Sequence, residues 1–340
     1  MLRCLELAQN GAGLVAPNPL VGSVVVWQDK IIGEGYHTGF GNAHAEVEAI
    51  QSVVDKQLLA EATLYVNLEP CAHHGKTPPC ADLIVHHKIP KVVIANRDPF
   101  AAVDGKGIER LRANGCEVTV GVLEAEGRWL NRRFFTFHEK QRPYVILKWA
   151  QTQNGYIDAL RTESTDKPLK ISGPQAQRLV HRWRSEEAAI LAGTNTAMLD
   201  NPQLNVRLWD GPAPLRLVID RLGKLPTSLH LMDGSQPTLI FSSKALAAAP
   251  NLEWVALDFD QPVLPQIMEE LQSRNIQSVL VEGGTTVHNS FFEAALWDEA
   301  RVFINQQTIP AGVAAPPLPS PVNKQQQVED DTLFTFLAAQ

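Results

Sequence analysis

The sequence predicts an α/β fold in two domains. Short runs rich in valine, isoleucine and leucine recur along the whole chain, each bounded by turn residues, with helical periodicity between them. That alternation is the signature of sheets with helices on their faces. At 340 residues the chain also exceeds a single ordinary core, so about two domains are expected.

Taken in order, Met1–Ala8 is a short amphipathic helix that carries Arg3 and Glu6. Gly22–Trp27 and Ile31–Tyr36 flank Gln28-Asp29-Lys30 as a hairpin. His44 opens a helix to about Val54, Thr63–Leu68 is a buried strand, and Cys80 opens a helix through about His87. Lys91–Ala95, a helix over Ile108–Ala113, and Glu117–Gly121 complete a mixed sheet. A helical stretch over Glu124–Glu139 leads to Arg142-Pro143, the predicted boundary between domains 1–142 and 143–340. The second series has strands at Tyr144–Trp149, Ala188–Ala192, Leu215–Asp220, Thr238–Phe241, Ser278–Glu282 and Ala300–Asn305. Helices at Pro174–Arg184, Leu264–Arg274 and Thr286–Leu296 are interleaved with them, and the Pro/Ala-rich Thr308–Pro321 is expected as an irregular surface loop.

Charge and cysteine usage narrow the function. The formal net charge is −7, with 15 Lys+Arg against 16 Asp+Glu in residues 1–142 and 15 against 21 in the remainder. Neither part has the basic excess of a nucleic-acid binder, which favours a small-molecule substrate. Four cysteines, two of them in one motif, indicate a reducing compartment and no disulfide framework. Met1–Ala8 lacks the apolar core of a signal peptide, and no apolar stretch approaches the ~20 residues of a membrane helix. A cytoplasmic protein is expected.

Two segments carry the chemistry: His44-Ala-Glu46 and Pro70-Cys71 through Cys80. His44, Cys71 and Cys80 are three zinc ligands of the kind that leave a fourth position open for water, as catalytic sites do. Glu46, in the first turn of its helix, is placed to move the water proton. The two helix starts at His44 and Cys80 would favour thiolates. H-x-E with P-C…C is the pattern of zinc nucleobase deaminases, except that eight residues separate these cysteines instead of two. The bland alternative is a structural zinc or two buried cysteines. In the second half, Val279–Thr286 runs from a strand through Gly283-Gly284 into a helix, a turn that either cradles an anion or is an ordinary tight connection.

Pro17-Asn-Pro-Leu-Val-Gly22, Gly33-Glu-Gly-Tyr-His37, His44-Ala-Glu-Val47 and the whole of Leu68–Cys80 resemble the bifunctional riboflavin-biosynthesis deaminase/reductase family. Lys148-Trp-Ala150, Ala189–Thr196, Asp200–Arg207 and Glu282-Gly-Gly284 resemble its reductase half, so the likeness covers nearly the whole chain. It implies a cytidine-deaminase-like α/β/α domain followed by a dihydrofolate-reductase-like α/β domain. The implied reactions are zinc-dependent deamination of a phosphoribosylated diaminopyrimidinone, then NADPH reduction of its ribosyl group. By match to the family motifs, Asn18, His37, His73 and Lys76 would contact substrate in the first domain. Arg184, Leu204, Arg207 and Glu282 would do so in the second, where Ala150, Thr196, Asp200, Gly284, Thr285, Thr286 and Ser290 would line the NADPH site. The resemblance also implies a homo-oligomer. Glu48 and Phe100 depart from the deaminase pattern, and Asn154, Pro168 and Lys170 from that of the reductase. The alternative is therefore a deaminase whose second domain has decayed into a binding or assembly module.

Overall fold

The computed structural model describes residues 1–72, 78–161, 167–244, 247 and 249–339. The chain divides into two compact units, Met1–Gln141 and Arg142–Gln340.

The first unit runs α1 (Leu2–Gln9), β1 (Gly22–Trp27), β2 (Lys30–Tyr36), α2 (Ala45–Ser52), β3 (Thr63–Leu68), α3 (Cys80–His86), β4 (Lys91–Asn96), α4 (Lys106–Ala113), β5 (Glu117–Val120), α5 (Glu124–Leu130) and α6 (Arg132–Lys140). Its five strands are ordered β2-β1-β3-β4-β5. β1 is antiparallel to both β2 and β3, whereas β3, β4 and β5 are parallel. Strand alternation sorts the valines of β1 onto two faces. Val24 packs with Cys4 and Leu7 of α1, and Val25 joins Ile50, Leu64, Ile84, Ile94 and Leu111 under α2, α3 and α4. The β1–β2 turn puts Gln28 and Asp29 at φ 47° and 58°, the left-handed pair that a two-residue hairpin requires.

The single helix expected over Glu124–Glu139 is corrected to two, α5 and α6, which meet at Asn131. Asn131 is buried and spends its side chain on another segment. Its Oδ1 accepts from Leu20 N at 2.8 Å, and its Nδ2 donates to Leu20 O at 2.9 Å. That pairing ties the helix junction to the loop before β1.

The second unit contains β6 (Tyr144–Thr152), β7 (Tyr156–Asp158), α7 (Pro174–Glu186), β8 (Ala189–Gly193), α8 (Thr194–Asp200), β9 (Leu215–Ile219), β10 (Thr238–Ser242), β11 (Leu252–Ala256), α9 (Val263–Ser273), β12 (Ser278–Val281), α10 (Thr285–Glu293), β13 (Glu299–Asn305), β14 (Val313–Ala314), β15 (Lys324–Val328) and β16 (Asp331–Leu337). A nine-stranded sheet is ordered β11-β10-β9-β8-β12-β6-β13-β16-β15. It is parallel from β11 to β13 and ends in an antiparallel hairpin. Both faces of the sheet are covered. Tyr144 and Ile146 pack under α7 with Val180 and Trp183, and Val145 and Leu147 pack with Ile267 of α9 and Phe291 of α10.

Sequence analysis did not identify β7, α8, β11, β14 or the β15–β16 hairpin. Within the expected loop at residues 308–321, Val313–Ala314 instead pairs with β7. Among the described residues, no helix is long and apolar enough to cross a membrane.

Candidate metal centre and cofactor cleft

The ends of three elements of the first unit build the metal site. His44 is the N-cap of α2, Cys80 is the first residue of α3, and Cys71 lies just beyond β3. His44 Nδ1 stands 3.2 Å from Cys80 Sγ and 3.6 Å from Cys71 Sγ, so Nδ1 is the donor atom facing the thiols. The three candidate ligand atoms lie within 4.8 Å of one another. Cys80 N donates to Cys71 Sγ at 3.3 Å, so the start of α3 already stabilises negative charge on that sulfur. Hydrogen bonds from Cys80 and His44, opposed by burial, pull the Cys71 thiol down to about 4. Cys80, beside that thiolate and buried, is pushed up. His44 rises to about 9 through its hydrogen bond with Cys71. One imidazole and two thiols around a common point are a three-ligand zinc donor set, with no other described His, Cys, Asp or Glu in the cluster.

Glu46 is the second residue of α2 and is buried, yet lies outside the ligand group. Burial first, and then the Cys71 charge, push its carboxyl up to about 7. A carboxyl pushed up toward neutrality beside a His/Cys/Cys ligand cluster is suited to pass protons. His37 presents an edge to the His44 ring, with centroids 5.7 Å apart. Its Nδ1 lies 2.9 Å from Ala43 O, which only a protonated nitrogen can satisfy, so Nε2 accepts from Asn18 Nδ2 at 3.0 Å. Asn18 and His37 therefore sit together beside the metal ligands. His73 and Lys76 lie outside the described residues.

Glu69 is a residue to which sequence reasoning gave no role. Its Oε2 accepts from Asp98 N (3.2 Å) and Gly105 N (3.0 Å), and its Oε1 accepts from Gly107 N (2.9 Å) and Ile108 N (3.2 Å). The side chain thereby ties the segment that carries Cys71 to the start of α4. Gly107 completes the junction, because a Cβ there would fall on the Pro70 carbonyl. In the sequence only its place directly before Pro70-Cys71 sets this glutamate apart. Of the two departures, Phe100 donates its N–H to Asp98 Oδ1 and rests against His138, while Glu48 lies in the first turn of α2.

In the second unit, a cavity of about 1140 Å³ opens at the carboxyl ends of β6, β12, β8 and β9. α/β sheets bind ligands at this edge. Ala150, Thr196, Asp200, Gly284, Thr285, Thr286 and Ser290 all line it, as do Arg184, Leu204 and Glu282. Arg207 is not among the lining residues. Its Nη1 bonds Asn205 Oδ1 at 3.0 Å, and Arg184 Nη1 bonds the carbonyl of the same Asn205 at 3.1 Å. Burial would raise the Glu282 carboxyl, but Arg184 and Lys148 hold it well below the usual carboxylate range. Arg184 meets it with two N–H groups, at 2.7 and 2.9 Å, and Lys148 at 3.3 Å. Gly193 keeps the β8–α8 turn close to the start of α10. A Cβ on Gly193 would come within 2.7 Å of Val287 Cγ2.

A second charged group on the cleft wall, also unforeseen, is Arg161 held between Asp158 and Asp200. Of the reductase departures, Pro168 lines the cleft. Asn154 bonds Thr152 and the Ile309 carbonyl, and Lys170 O accepts from Gln307.

The two units define a two-domain α/β enzyme, with a candidate three-ligand metal cluster in one and a glycine-lined cleft in the other. Residues 143–336 match the RibD C-terminal domain, and residues 1–96 match the cytidine and deoxycytidylate deaminase zinc-binding region. Riboflavin biosynthesis protein RibD of Aquifex aeolicus is 38% identical over 92% of this chain and 88% of its own. The protein of that name from Bacillus amyloliquefaciens is 39% identical over 94% and 86%. Among solved structures, a diaminohydroxyphosphoribosylaminopyrimidine deaminase/5-amino-6-(5-phosphoribosylamino)uracil reductase from Thermotoga maritima superposes with a TM-score of 0.90 at 37% identity, covering 100% of this chain and 97% of that one. Acinetobacter baumannii RibD gives 0.89 at 30%, covering 100% and 98%. The chain belongs to the RibD family.

Proposed function

We propose that this chain catalyses two consecutive reactions of riboflavin biosynthesis on one phosphorylated pyrimidine. The domain of residues 1–142 deaminates 2,5-diamino-6-(5-phosphoribosylamino)pyrimidin-4(3H)-one by hydrolysis. The domain of residues 143–340 then reduces the ribosyl group, giving 5-amino-6-(5-phosphoribitylamino)uracil. The observation that carries this reading is the convergence of His44, Cys71 and Cys80 with buried Glu46 beside them, in a chain that also holds the cleft. The family membership and the activity of the Thermotoga maritima neighbour support it.

His44, Cys71 and Cys80 would hold zinc, which when bound supplies Lewis acidity for the activation of water. Glu46 accepts a proton from the attacking water and returns it to the departing amino group, so that ammonia leaves. Asn18 and His37 orient the pyrimidine, with Lys76 and His73 toward its phosphate. In the cleft, NADPH when bound supplies the hydride. The backbone N–H groups of Gly284–Thr286 at the start of α10 would hold its phosphates, and Thr196, Asp200, Ser290 and Ala150, which line the same cleft, would bind the rest of it. Arg184 and Arg207 hold the substrate phosphate, and Glu282 and Leu204 position the ribosyl end. We also infer a homo-oligomer, which light scattering of the purified chain tests.

Mass spectrometry of the substrate after incubation, with and without NADPH, tests the reaction pair. Deamination in both samples, with a further hydride-plus-proton gain only when NADPH is present, is expected. Deamination without that gain would refute the reductase assignment.

A further inference from the structure

Building on the reading of the cleft as an NADPH site, we propose that Arg161 is a positioning residue of the reductase. It holds Asp200 so that the free carboxylate oxygen accepts from a donor group of the bound dinucleotide. Asp200 is the last residue of α8, Asp158 is the last of β7, and Arg161 follows three residues later. All three line the cleft.

A carboxylate at the end of α8 is poorly placed for stability alone. Helix C-termini gather unpaired carbonyls, whose partial negative charge disfavours an acid there. Asp200 nonetheless stands at this end, with its side chain 34% exposed in the cleft wall. Arg161 answers both negative groups at once. Its Nη1 donates to Leu199 O, a carbonyl of the last turn, at 3.2 Å, and its Nη2 donates to Asp200 Oδ1. Asp200 Oδ2 has no hydrogen-bond partner among the described residues. An ionised carboxylate oxygen can only accept, so it suits an O–H or N–H group of a ligand and not a phosphate.

Arg161 is itself held in place. Its side chain is 5% exposed, and its Nε donates to Asp158 Oδ2 at 2.7 Å. Asp158 Oδ1 in turn accepts from Ala159 N at 2.9 Å and Leu169 N at 2.8 Å. Restraint thus passes from the backbone to Asp158, from Asp158 to Arg161, and from Arg161 to Asp200. A planar guanidinium shared by two acids has a fixed orientation, so it sets direction as well as charge. An Asp200 fixed in this way has little freedom left to lose when a ligand arrives.

Isothermal titration calorimetry of the full chain with NADPH, in a double-mutant cycle of Arg161→Met and Asp200→Ala, tests the proposal. Arg161→Met is expected to weaken NADPH by about 5- to 30-fold when Asp200 is present and by less than about 2-fold in the Asp200→Ala background. Arg161→Lys, which keeps the charge but not the fork, should show the same dependence on Asp200 with a smaller loss; if Arg161→Met does not fold, the cycle with Arg161→Lys decides. Steady-state kinetics on separately supplied deaminated intermediate should show a raised KM for NADPH, with kcat retained at saturating cofactor. A merely structural Arg161 would weaken NADPH equally in both backgrounds. That result, unchanged NADPH affinity in Arg161→Met, or a fall in kcat with KM unchanged overturns the assignment. Failure of the unaltered chain to bind NADPH overturns the reading of the cleft itself, and this inference with it.

Discussion

Glu69→Gln changes one atom type and almost no volume, yet it should loosen the metal domain. The side chain is 4% exposed, and each of its oxygens accepts two backbone N–H groups. In glutamine one oxygen becomes an NH2 group. Whichever way the amide turns, two buried N–H groups then face a donor. At about 1–3 kcal/mol for each unsatisfied donor, the loss is about 2–6 kcal/mol. That is a large share of the ~5–15 kcal/mol that holds a typical domain together. Hydrogen exchange followed by mass spectrometry localises the effect. A loss of 2 kcal/mol corresponds to at least about 30-fold faster exchange over Gly105–Ile108. Peptides of the second unit serve as an internal control. Zinc content should fall in parallel, because Cys71 lies two residues beyond Glu69. Unchanged exchange at Gly105–Ile108 would refute the argument that these four hydrogen bonds hold the ligand segment in place.

Glu46→Gln is expected to retain zinc, measured by elemental analysis, while deamination falls by about 10²–10⁴-fold and NADPH-dependent reduction of separately supplied deaminated intermediate is unaffected. Chelation followed by dialysis should abolish deamination alone, and added zinc should restore it; persistence of deamination in metal-free protein would exclude a catalytic metal. His181 Nδ1 accepts from Arg207 N at 3.2 Å, and burial together with Arg184 and Arg207 pushes the ring down to about 4. The neutral ring is favoured on folding, so its contribution is present above ~6.5 and is lost as pH falls toward about 4, at most about 3 kcal/mol. Urea titrations at pH 7 and pH 4.5 should show that loss in the second unit, and His181→Gln should reduce it. Arg184→Met leaves buried Glu282 with Lys148 alone and should cost about 3–5 kcal/mol, read as a lower urea midpoint of the second unit. Retention of the wild-type midpoint would show that Lys148 suffices.

The metal site was legible because its chemistry is local. His44, Glu46, Cys71 and Cys80 fall at strand ends and helix starts, which residue spacing reveals. The cleft was legible mainly through resemblance, since Gly283-Gly284 alone is an ordinary turn signal. Glu69 was hidden because its partners, at residues 98–108, are distant in sequence and bond through backbone N–H groups that no side-chain pattern encodes. β15 was missed for a different reason: Lys324-Gln-Gln-Gln-Val328 is an edge strand with a polar, exposed run, so it shows no alternation. The helix break at Asn131 was equally invisible, because asparagine interrupts a helix only when something outside it claims the side chain, as Leu20 does here.

The charged groups on the cleft wall are unequal in a way that gives the cavity a polarity. Two cations share one carboxylate at Lys148–Glu282–Arg184, whereas two carboxylates share one cation at Asp158–Arg161–Asp200. One wall group is thus positive in sum and the other negative, within a space partly screened from water. Such a field aligns an approaching ligand before any contact forms, drawing its anionic end toward Lys148 and Arg184 and turning it away from Asp158 and Asp200. Orientation would then begin during encounter, and raising the ionic strength should slow capture of a phosphorylated ligand more than it speeds release.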